Sequence, residues 1–134
     1  ILIIAVGKIK EKYLQDGIAE YQKRLRPYVK LNILEIAESK RRGNLSPSQQ
    51  ELVKDGEGAR ILAAIPHDTQ AIVLDPRGER WSSENLAEHI HQWEISGQNN
   101  LCIIIGGDLG LSDIVLTRSN IRLSLSPMTF THQM

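Results

Sequence analysis

Short aliphatic runs alternate along the chain with longer segments whose apolar residues recur at helical spacing. Residues 1–6 are aliphatic throughout, as expected for a strand that is buried on both faces. Similar buried strands are predicted over residues 70–75 and 101–105, and a last strand over 121–125. Residues 31–37 alternate instead, which favours a strand near the edge of a sheet. The pattern therefore predicts five strands.

The segments between the predicted strands carry the signals of helices. Between residues 11 and 28 apolar side chains recur at helical spacing and form one stripe, which predicts an amphipathic helix. The stripe consists of Leu14, Ile18, Tyr21 and Leu25. A short helix is also expected over about residues 111–118.

Two further helices are marked by their ends. Residues 46–49 (Ser-Pro-Ser-Gln) supply an N-cap, a proline suited to the first helical position and a capping box. The helix that they begin should run to about residue 64. One serine of the pair 82–83 can cap the next helix, which Gly97 ends.

The predicted order of elements is βαβαβαβαβ. Because helical crossovers connect parallel neighbours, this order predicts an α/β fold with a mostly parallel sheet and helices on both faces. The chain of 134 residues is long enough for one sizeable core and too short for two. Residues 1–134 are therefore expected to form a single domain.

Composition limits the class of protein. The chain is 41% hydrophobic and 24% charged, as is usual for soluble globular proteins. Its aliphatic runs are too short to span a bilayer and no signal-peptide pattern is present, so a cytoplasmic protein without membrane association is expected. The single cysteine, Cys102, excludes an intrachain disulfide, and its apolar neighbours predict a buried, inert thiol.

Charge is unevenly distributed, although the formal net charge is zero. Residues 1–42 carry ten Lys or Arg against five Asp or Glu, whereas residues 43–134 carry six against eleven. The polar loop after the second strand contains the run Lys40-Arg41-Arg42. Such asymmetry indicates a face suited to a phosphate backbone, and a solvated helix surface explains it about equally well.

Candidate chemistry lies at the strand ends, because ligands of open α/β sheets bind beyond the carboxyl ends of the strands. After the third strand, residues 76–78 (Pro-Arg-Gly) signal a closing turn. Residues 106–110 are glycine-rich and allow a ligand to approach the backbone closely. Residues 123–130 (LSLSPMTF) continue as a loop that could hold an adenine between apolar side chains. A ligand site and ordinary tight connections are about equally supported here.

Other ligand sites fit the sequence poorly. The dinucleotide fingerprint G-x-G-x-x-G belongs after the first strand, where Gly7 stands alone, and no G-x-x-x-x-G-K-[ST] sequence occurs. His89 and His91 would point to different faces of a helix, so no metal is expected. A nucleotide-binding α/β module remains one interpretation of these strand ends.

Several segments resemble, in order and along the whole chain, a known family. They are Ile4-Ala5-Val6-Gly7-Lys8, Glu20-Tyr21-x-Lys23-Arg24-Leu25, Glu57-Gly58, Leu74-Asp75, Ile105-Gly106-Gly107-x-x-Gly110-Leu111, Arg118-Ser119-Asn120, and residues 123–130 followed by His132-Gln133-Met134. The family is that of the small SPOUT-class methyltransferases, which act on a pseudouridine of 23S ribosomal RNA in the large subunit.

The resemblance implies a trefoil-knotted α/β domain that works as a homodimer. Its activity would be transfer of a methyl group from S-adenosylmethionine to N3 of a pseudouridine of ribosomal RNA, within the ribosome. The family's cofactor contacts carry over to Leu74, Gly106, Leu125, Ser126, Pro127, Met128, Thr129 and Phe130. The family also continues beyond His-Gln-Met with a helix and a tail, which residues 1–134 do not include.

No catalytic residue follows from the resemblance. Asp108 and His132 lie close to the predicted cofactor loops and are candidate general bases. Asp108 is better explained as a cap of the helix after the glycines, and His132 as packing at the wall of the site. The catalytic residue is therefore left unassigned.

Overall fold

The computed structural model describes residues 1–39 and 43–134, which contain five strands and four helices in strict alternation. The strands are β1 (Leu2–Val6), β2 (Asn32–Ile36), β3 (Gln70–Arg80), β4 (Leu101–Ile105) and β5 (Ile121–Ser124). The helices are α1 (Lys12–Leu25), α2 (Pro47–Ala64), α3 (Ser83–Ile95) and α4 (Asp113–Arg118). The predicted βαβαβαβαβ order is confirmed.

The strands pair in parallel in one sheet with the order β2-β1-β4-β3-β5. β2 lies at an edge, as its alternating pattern predicted, and its Ile33 and Leu34 are 37% and 41% exposed. Val73 of β3 pairs with Ile104 of β4, and Leu74 pairs with Leu123 of β5. The carboxyl ends of β3, β4 and β5 therefore meet at one edge of the sheet.

Helices cover both faces of the sheet, as predicted. On one face, side chains of β1, β3 and β4 pack against Ile61 of α2 and Val115 of α4, which are fully buried or nearly so. On the other face, Ile72 and Leu123 pack against α3 through Leu86 and its neighbours. Because side chains alternate between the faces of a strand, the aliphatic runs supply both cores.

The single thiol belongs to the first of these cores. Cys102 is fully buried, and this burial raises its pKa to about 11, although the charges of Arg118 and the N-terminus act in the opposite direction. A thiol with such a pKa forms little thiolate at neutral pH and is a poor nucleophile. The prediction of a buried, inert cysteine is confirmed.

The helix starts follow the predicted capping. Ser46 Oγ accepts the N–H of Gln49 at 3.3 Å, while Gln49 Oε1 accepts the N–H of Ser46 at 2.8 Å. Ser82 and Asn85 form the same reciprocal pair at the start of α3. Gly97 follows α3 with a φ of 83°, a conformation that glycine adopts at low cost.

The predicted helix with the apolar stripe is present as α1, but the stripe is only partly covered. Tyr21 and Leu25 of the apolar stripe on α1 are 67% and 38% exposed, and α1 has no buried residue. Leu14 and Ile18 of the same stripe are half-buried. Among the described helices, none combines the length and the apolar character that crossing a membrane requires.

Candidate functional site

The residues predicted to bind a cofactor are brought together at the carboxyl edge of the sheet. Leu74 lies beside Leu123 in the register of β3 and β5, and β4 ends at the same level. Gly106 follows β4 directly, and Leu125 follows β5 directly. The residues 125–130, here called the cofactor loop, therefore start beside Leu74 and the glycines.

Residues 106–110, here called the glycine turn, form a tight connection. The N–H of Gly110 donates to the carbonyl of Gly107 at 3.1 Å, and Gly110 has a φ of 85°. A Cβ at Gly106 would stand 2.9 Å from Cδ2 of Leu111. Glycine at position 106 is therefore required by the packing of the turn against Leu111.

The cofactor loop exposes apolar side chains beside this turn. Leu125, Met128 and Phe130 are 69%, 69% and 50% exposed. Two serines shape the backbone: Ser124 Oγ donates to the carbonyl of Ser126 at 3.0 Å, and Ser126 Oγ accepts the N–H of Met128 at 3.1 Å. Apolar side chains next to accessible backbone groups are the usual lining of a site for a flat heterocycle.

β3 does not end at the predicted turn. It continues to Arg80, and both Leu74 and Glu79 lie opposite Leu123 of β5. Residues 75–78, here called the β3 bulge, therefore loop out of the ladder without ending the strand. The predicted turn at residues 76–78 is therefore present as this bulge, after which the chain pairs again with β5.

Asp75 holds the β3 bulge in shape. Its carboxylate is 8% exposed, and Oδ1 accepts the backbone N–H of Arg77 at 2.9 Å. The guanidinium of Arg77 also donates to both carboxylate oxygens, at 3.3 and 3.5 Å. Burial by itself raises the pKa of Asp75, but the hydrogen bonds and charge of Arg77, with the charge of Arg122, lower it overall.

The lowered pKa predicts an acid dependence of stability. Ionised Asp75 stabilises the folded chain above its unfolded pKa of about 3.9, and this contribution is lost as pH falls through the lower folded value. Asp75→Asn should therefore reduce the free energy of unfolding at neutral pH by about 1 kcal/mol and flatten its fall in acid. Urea denaturation between neutral and acid pH measures both, with Asp55→Asn on the surface of α2 as control. An unaltered acid limb in Asp75→Asn would contradict this role.

A buried carboxylate beneath the glycine turn was not found from the sequence as a site residue. Glu57 of α2 is 7% exposed, and its Oε1 accepts the N–H of Ser39 at 3.2 Å. Its Oε2 lies 3.3 Å from the position that a Cβ of Gly107 would take. The sequence did contain a signal. Val53, Glu57 and Ile61 are four positions apart and therefore share the apolar face of α2. A charged residue on such a face is unusual and indicates a specific role.

The two candidate bases have different positions. Asp108 is exposed within the glycine turn, and Ser112 occupies the N-cap of α4, so the interpretation of Asp108 as that cap is wrong. The Nε2 of His132 is buried against Gly7 at the end of β1, and its place at the wall of a cofactor site stays a prediction. Neither position identifies a general base.

The predicted basic surface is described only in part. The run 40–42 lies outside the described residues. On α1, Lys12 pairs with Asp16 at 3.3 Å, and Arg24 pairs with Glu20 at 3.0 Å. Exposed pairs of this kind stabilise little, so these cations stay available to an anionic partner.

An open cleft of about 690 Å³ lies away from the cofactor loop, between the β3 bulge and the connection from α4 to β5. None of the eight predicted cofactor residues lines it. Its charged residues, Arg77, Glu79 and Arg122, are of both signs and indicate no ligand class.

In the described part of the chain, no group of three or more His, Cys, Asp or Glu side chains could hold a metal ion.

Comparison with known proteins assigns this arrangement to a class. Residues 1–134 match the family described as "Predicted SPOUT methyltransferase". The chain therefore belongs to the SPOUT methyltransferase family, and the parallel α/β sheet described above is the fold expected from the resemblance. The knot that the resemblance implies stays a prediction.

Individual relatives cover nearly all of the chain. A protein of Methanoregula boonei is 56% identical over 132 residues, which span 98% of this chain and 83% of that protein. Proteins of Clostridioides difficile and Bacillus pumilus are 51% and 48% identical over 134 residues, 100% of this chain and 84% of each relative. Both of the latter bear the name "Ribosomal RNA large subunit methyltransferase H".

Proposed function

We propose that this chain uses S-adenosylmethionine to methylate N3 of a pseudouridine in the 23S RNA of the large ribosomal subunit. The observation that carries the proposal is the match of the whole chain to SPOUT methyltransferases, among them relatives named for large-subunit ribosomal RNA. The alternative, a nucleotide-binding module without methyltransferase activity, is not favoured by this membership.

The residues at the carboxyl edge suit this cofactor. The glycine turn has no side chain at its first two positions, where a Cβ would stand 2.9 Å from Leu111 at Gly106 and 3.3 Å from Glu57 at Gly107, and its backbone is proposed to contact the cofactor. Leu125, Met128 and Phe130 present apolar surface next to that turn and can enclose an adenine ring. Leu74, Ser126, Pro127 and Thr129 complete the proposed contacts. When bound, S-adenosylmethionine supplies a methyl group activated by a positively charged sulfur.

The main contribution of the protein to such a transfer is alignment. An acceptor nitrogen must be held about 3 Å from the methyl carbon and in line with the bond that breaks. The cofactor loop and the β3 bulge both adjoin Leu123 and Ser124 of β5. We propose that the methyl group and the acceptor nitrogen are aligned between them. The proton on N3 of the pseudouridine must leave near the time of transfer, and no residue of this chain is assigned to accept it.

Titration calorimetry with three ligands tests the proposed cofactor. S-adenosylmethionine should bind the wild-type protein, whereas ATP and NAD should not. Binding of ATP or NAD in its place would support the nucleotide-binding alternative. Absence of binding by all three would overturn the proposed cofactor.

We propose a homodimer in the cytoplasm as the working form, on the basis of the family resemblance. A long RNA is difficult to hold on one small domain without net charge. Light scattering of the full-length protein at micromolar concentration should give twice the mass of one chain. A monomer at that concentration would contradict the dimer.

The basic run Lys40-Arg41-Arg42 is proposed to contact phosphates of the ribosome. Each such contact releases counterions, so replacing all three residues by alanine should weaken ribosome binding and flatten its dependence on salt. The affinity for S-adenosylmethionine should stay at the wild-type value. A binding assay over a range of salt concentrations measures the slope, and an unaltered slope would leave solubility as the role of these residues.

A further inference from the structure

The order of strands creates a crevice between β1 and β4. From β1 the chain crosses to β2 on one side, and from β4 it crosses over β3 to β5 on the other side. Neighbouring strands whose connections leave in opposite directions open a crevice at their carboxyl ends, where ligands of α/β proteins gather. In this protein the glycine turn packs against the end of β1 at this place, since a Cβ at Gly107 would stand 3.4 Å from Cγ1 of Val6.

His132 lies against Gly7 at the end of β1. A Cβ at Gly7 would stand 2.9 Å from Nε2 and 3.2 Å from Cε1 of His132, so the edge of the imidazole rests directly on the glycine. Nε2 is buried and has no hydrogen-bond partner within the described residues. Glu38 brings its Oε1 to 2.9 Å from the same Cβ position. The contact therefore depends on glycine at position 7 and on the reach of the histidine ring.

Gly7, against which the His132 ring packs, is held in the sheet by its backbone. Its N–H donates to the carbonyl of Ile36 in β2 at 2.8 Å, which continues the ladder of the sheet. Its φ of 95° is in the region that side-chain-bearing residues rarely adopt. The hydrogen bond fixes the end of β1 in the sheet, and the positive φ makes glycine the residue suited to this position.

The cofactor loop has few other attachments. Within the described residues, the hydrogen bonds of 125–134 run from Ser124 to Ser126, from Met128 to Ser126, and from Met134 to Thr131. All of them stay inside the segment that starts at the end of β5. The segment is thus held by β5 at one end and by His132 on Gly7 near the other.

We propose that His132 is a positioning residue that seats the cofactor loop on the end of β1. The inference rests on the proposed function, because the loop matters only if it binds S-adenosylmethionine. Holding both ends of the loop reduces the conformational entropy that binding must otherwise remove, which raises affinity without a direct contact. His132 acts through the loop and not on the reacting atoms.

Calorimetry with S-adenosylmethionine on His132 variants tests this role. His132→Ala should raise the dissociation constant about tenfold, which corresponds to about 1.4 kcal/mol. His132→Gln can place an amide atom where Nε2 lies and should restore most of the affinity, whereas the shorter His132→Asn should resemble the alanine variant. His91→Ala, at an exposed histidine of α3, is the matched control and should bind like the wild type.

A second variant tests the contact from the other side. Gly7→Ala should weaken binding in the wild-type background, because a Cβ there displaces the ring. In the His132→Ala background the same substitution should cost less affinity than in the wild-type background, because only the backbone strain at a φ of 95° and the contact with Glu38 remain. Circular dichroism establishes that each variant is folded.

The outcomes separate this inference from the proposed function. Wild-type protein that binds no S-adenosylmethionine would overturn both. Wild-type binding together with equal affinity in folded His132→Ala would overturn the positioning role alone. Equal loss in the Gln and Asn variants would also overturn it, since the role depends on the reach to Gly7.

Discussion

Gly78→Ala is expected to abolish binding of S-adenosylmethionine and to lower the free energy of unfolding by about 2–3 kcal/mol. A Cβ at this position would stand 2.5 Å from the carbonyl oxygen of Arg122 and 2.9 Å from the nitrogen of Leu123. These are backbone atoms of β5, which cannot turn aside as a side chain can. The β3 bulge would have to move away from β5 and carry Leu74 with it.

A glycine without neighbours provides the control for this variant. Gly17 of α1 has no heavy atom within 4 Å of its Cβ position, so Gly17→Ala should keep binding and slightly increase stability through helix propensity. Urea denaturation gives the stability of both variants, and calorimetry gives the affinity. Wild-type affinity and stability in Gly78→Ala would show that the bulge does not support the site.

Leu125→Asp is expected to weaken binding of S-adenosylmethionine by at least about 100-fold while leaving the fold intact. The side chain is 69% exposed, so its replacement removes little packing, but a charge would stand where an apolar ring is proposed to lie. Leu52 of α2 is 72% exposed and far along the chain from the loop. Leu52→Asp is therefore the matched control and should bind normally. Unchanged affinity in a folded Leu125→Asp protein would place the cofactor elsewhere.

The elements of the fold could be predicted because their signals are local. The capping boxes at Ser46 and Ser82 depend on residues three positions apart, and both are present. The aliphatic runs predicted buried parallel strands, since helices cover both faces of such a sheet. The alternation around β2 likewise predicted a strand with little cover.

The features that sequence analysis missed depend on distant partners. The turn signal at 76–78 does not reveal that Leu74 and Glu79 share Leu123 as partner. The apolar stripe on α1 does not reveal that the side chain of Tyr21 is 67% exposed. Such outcomes are set by the order of strands, which local patterns do not specify.

The proximity of the glycine turn and the cofactor loop could be predicted from the sequence, but the contacts that hold them in place could not. The glycine turn and the cofactor loop follow strands that end together, so their proximity could be expected from the general rule for parallel sheets. The contacts of Glu57 with Ser39 and of His132 with Gly7 join residues that lie far apart in the chain. No sequence pattern around Glu57 or His132 predicts these contacts.

Transfer of a labelled methyl group to ribosomes tests the central claim most directly. The substrate would be ribosomes from cells that lack the endogenous activity, with labelled S-adenosylmethionine and the purified protein. The account predicts label in 23S RNA at N3 of a pseudouridine, with the Leu125→Asp protein inactive and the Leu52→Asp protein active. Wild-type protein that binds S-adenosylmethionine but leaves the RNA unlabelled would contradict the account.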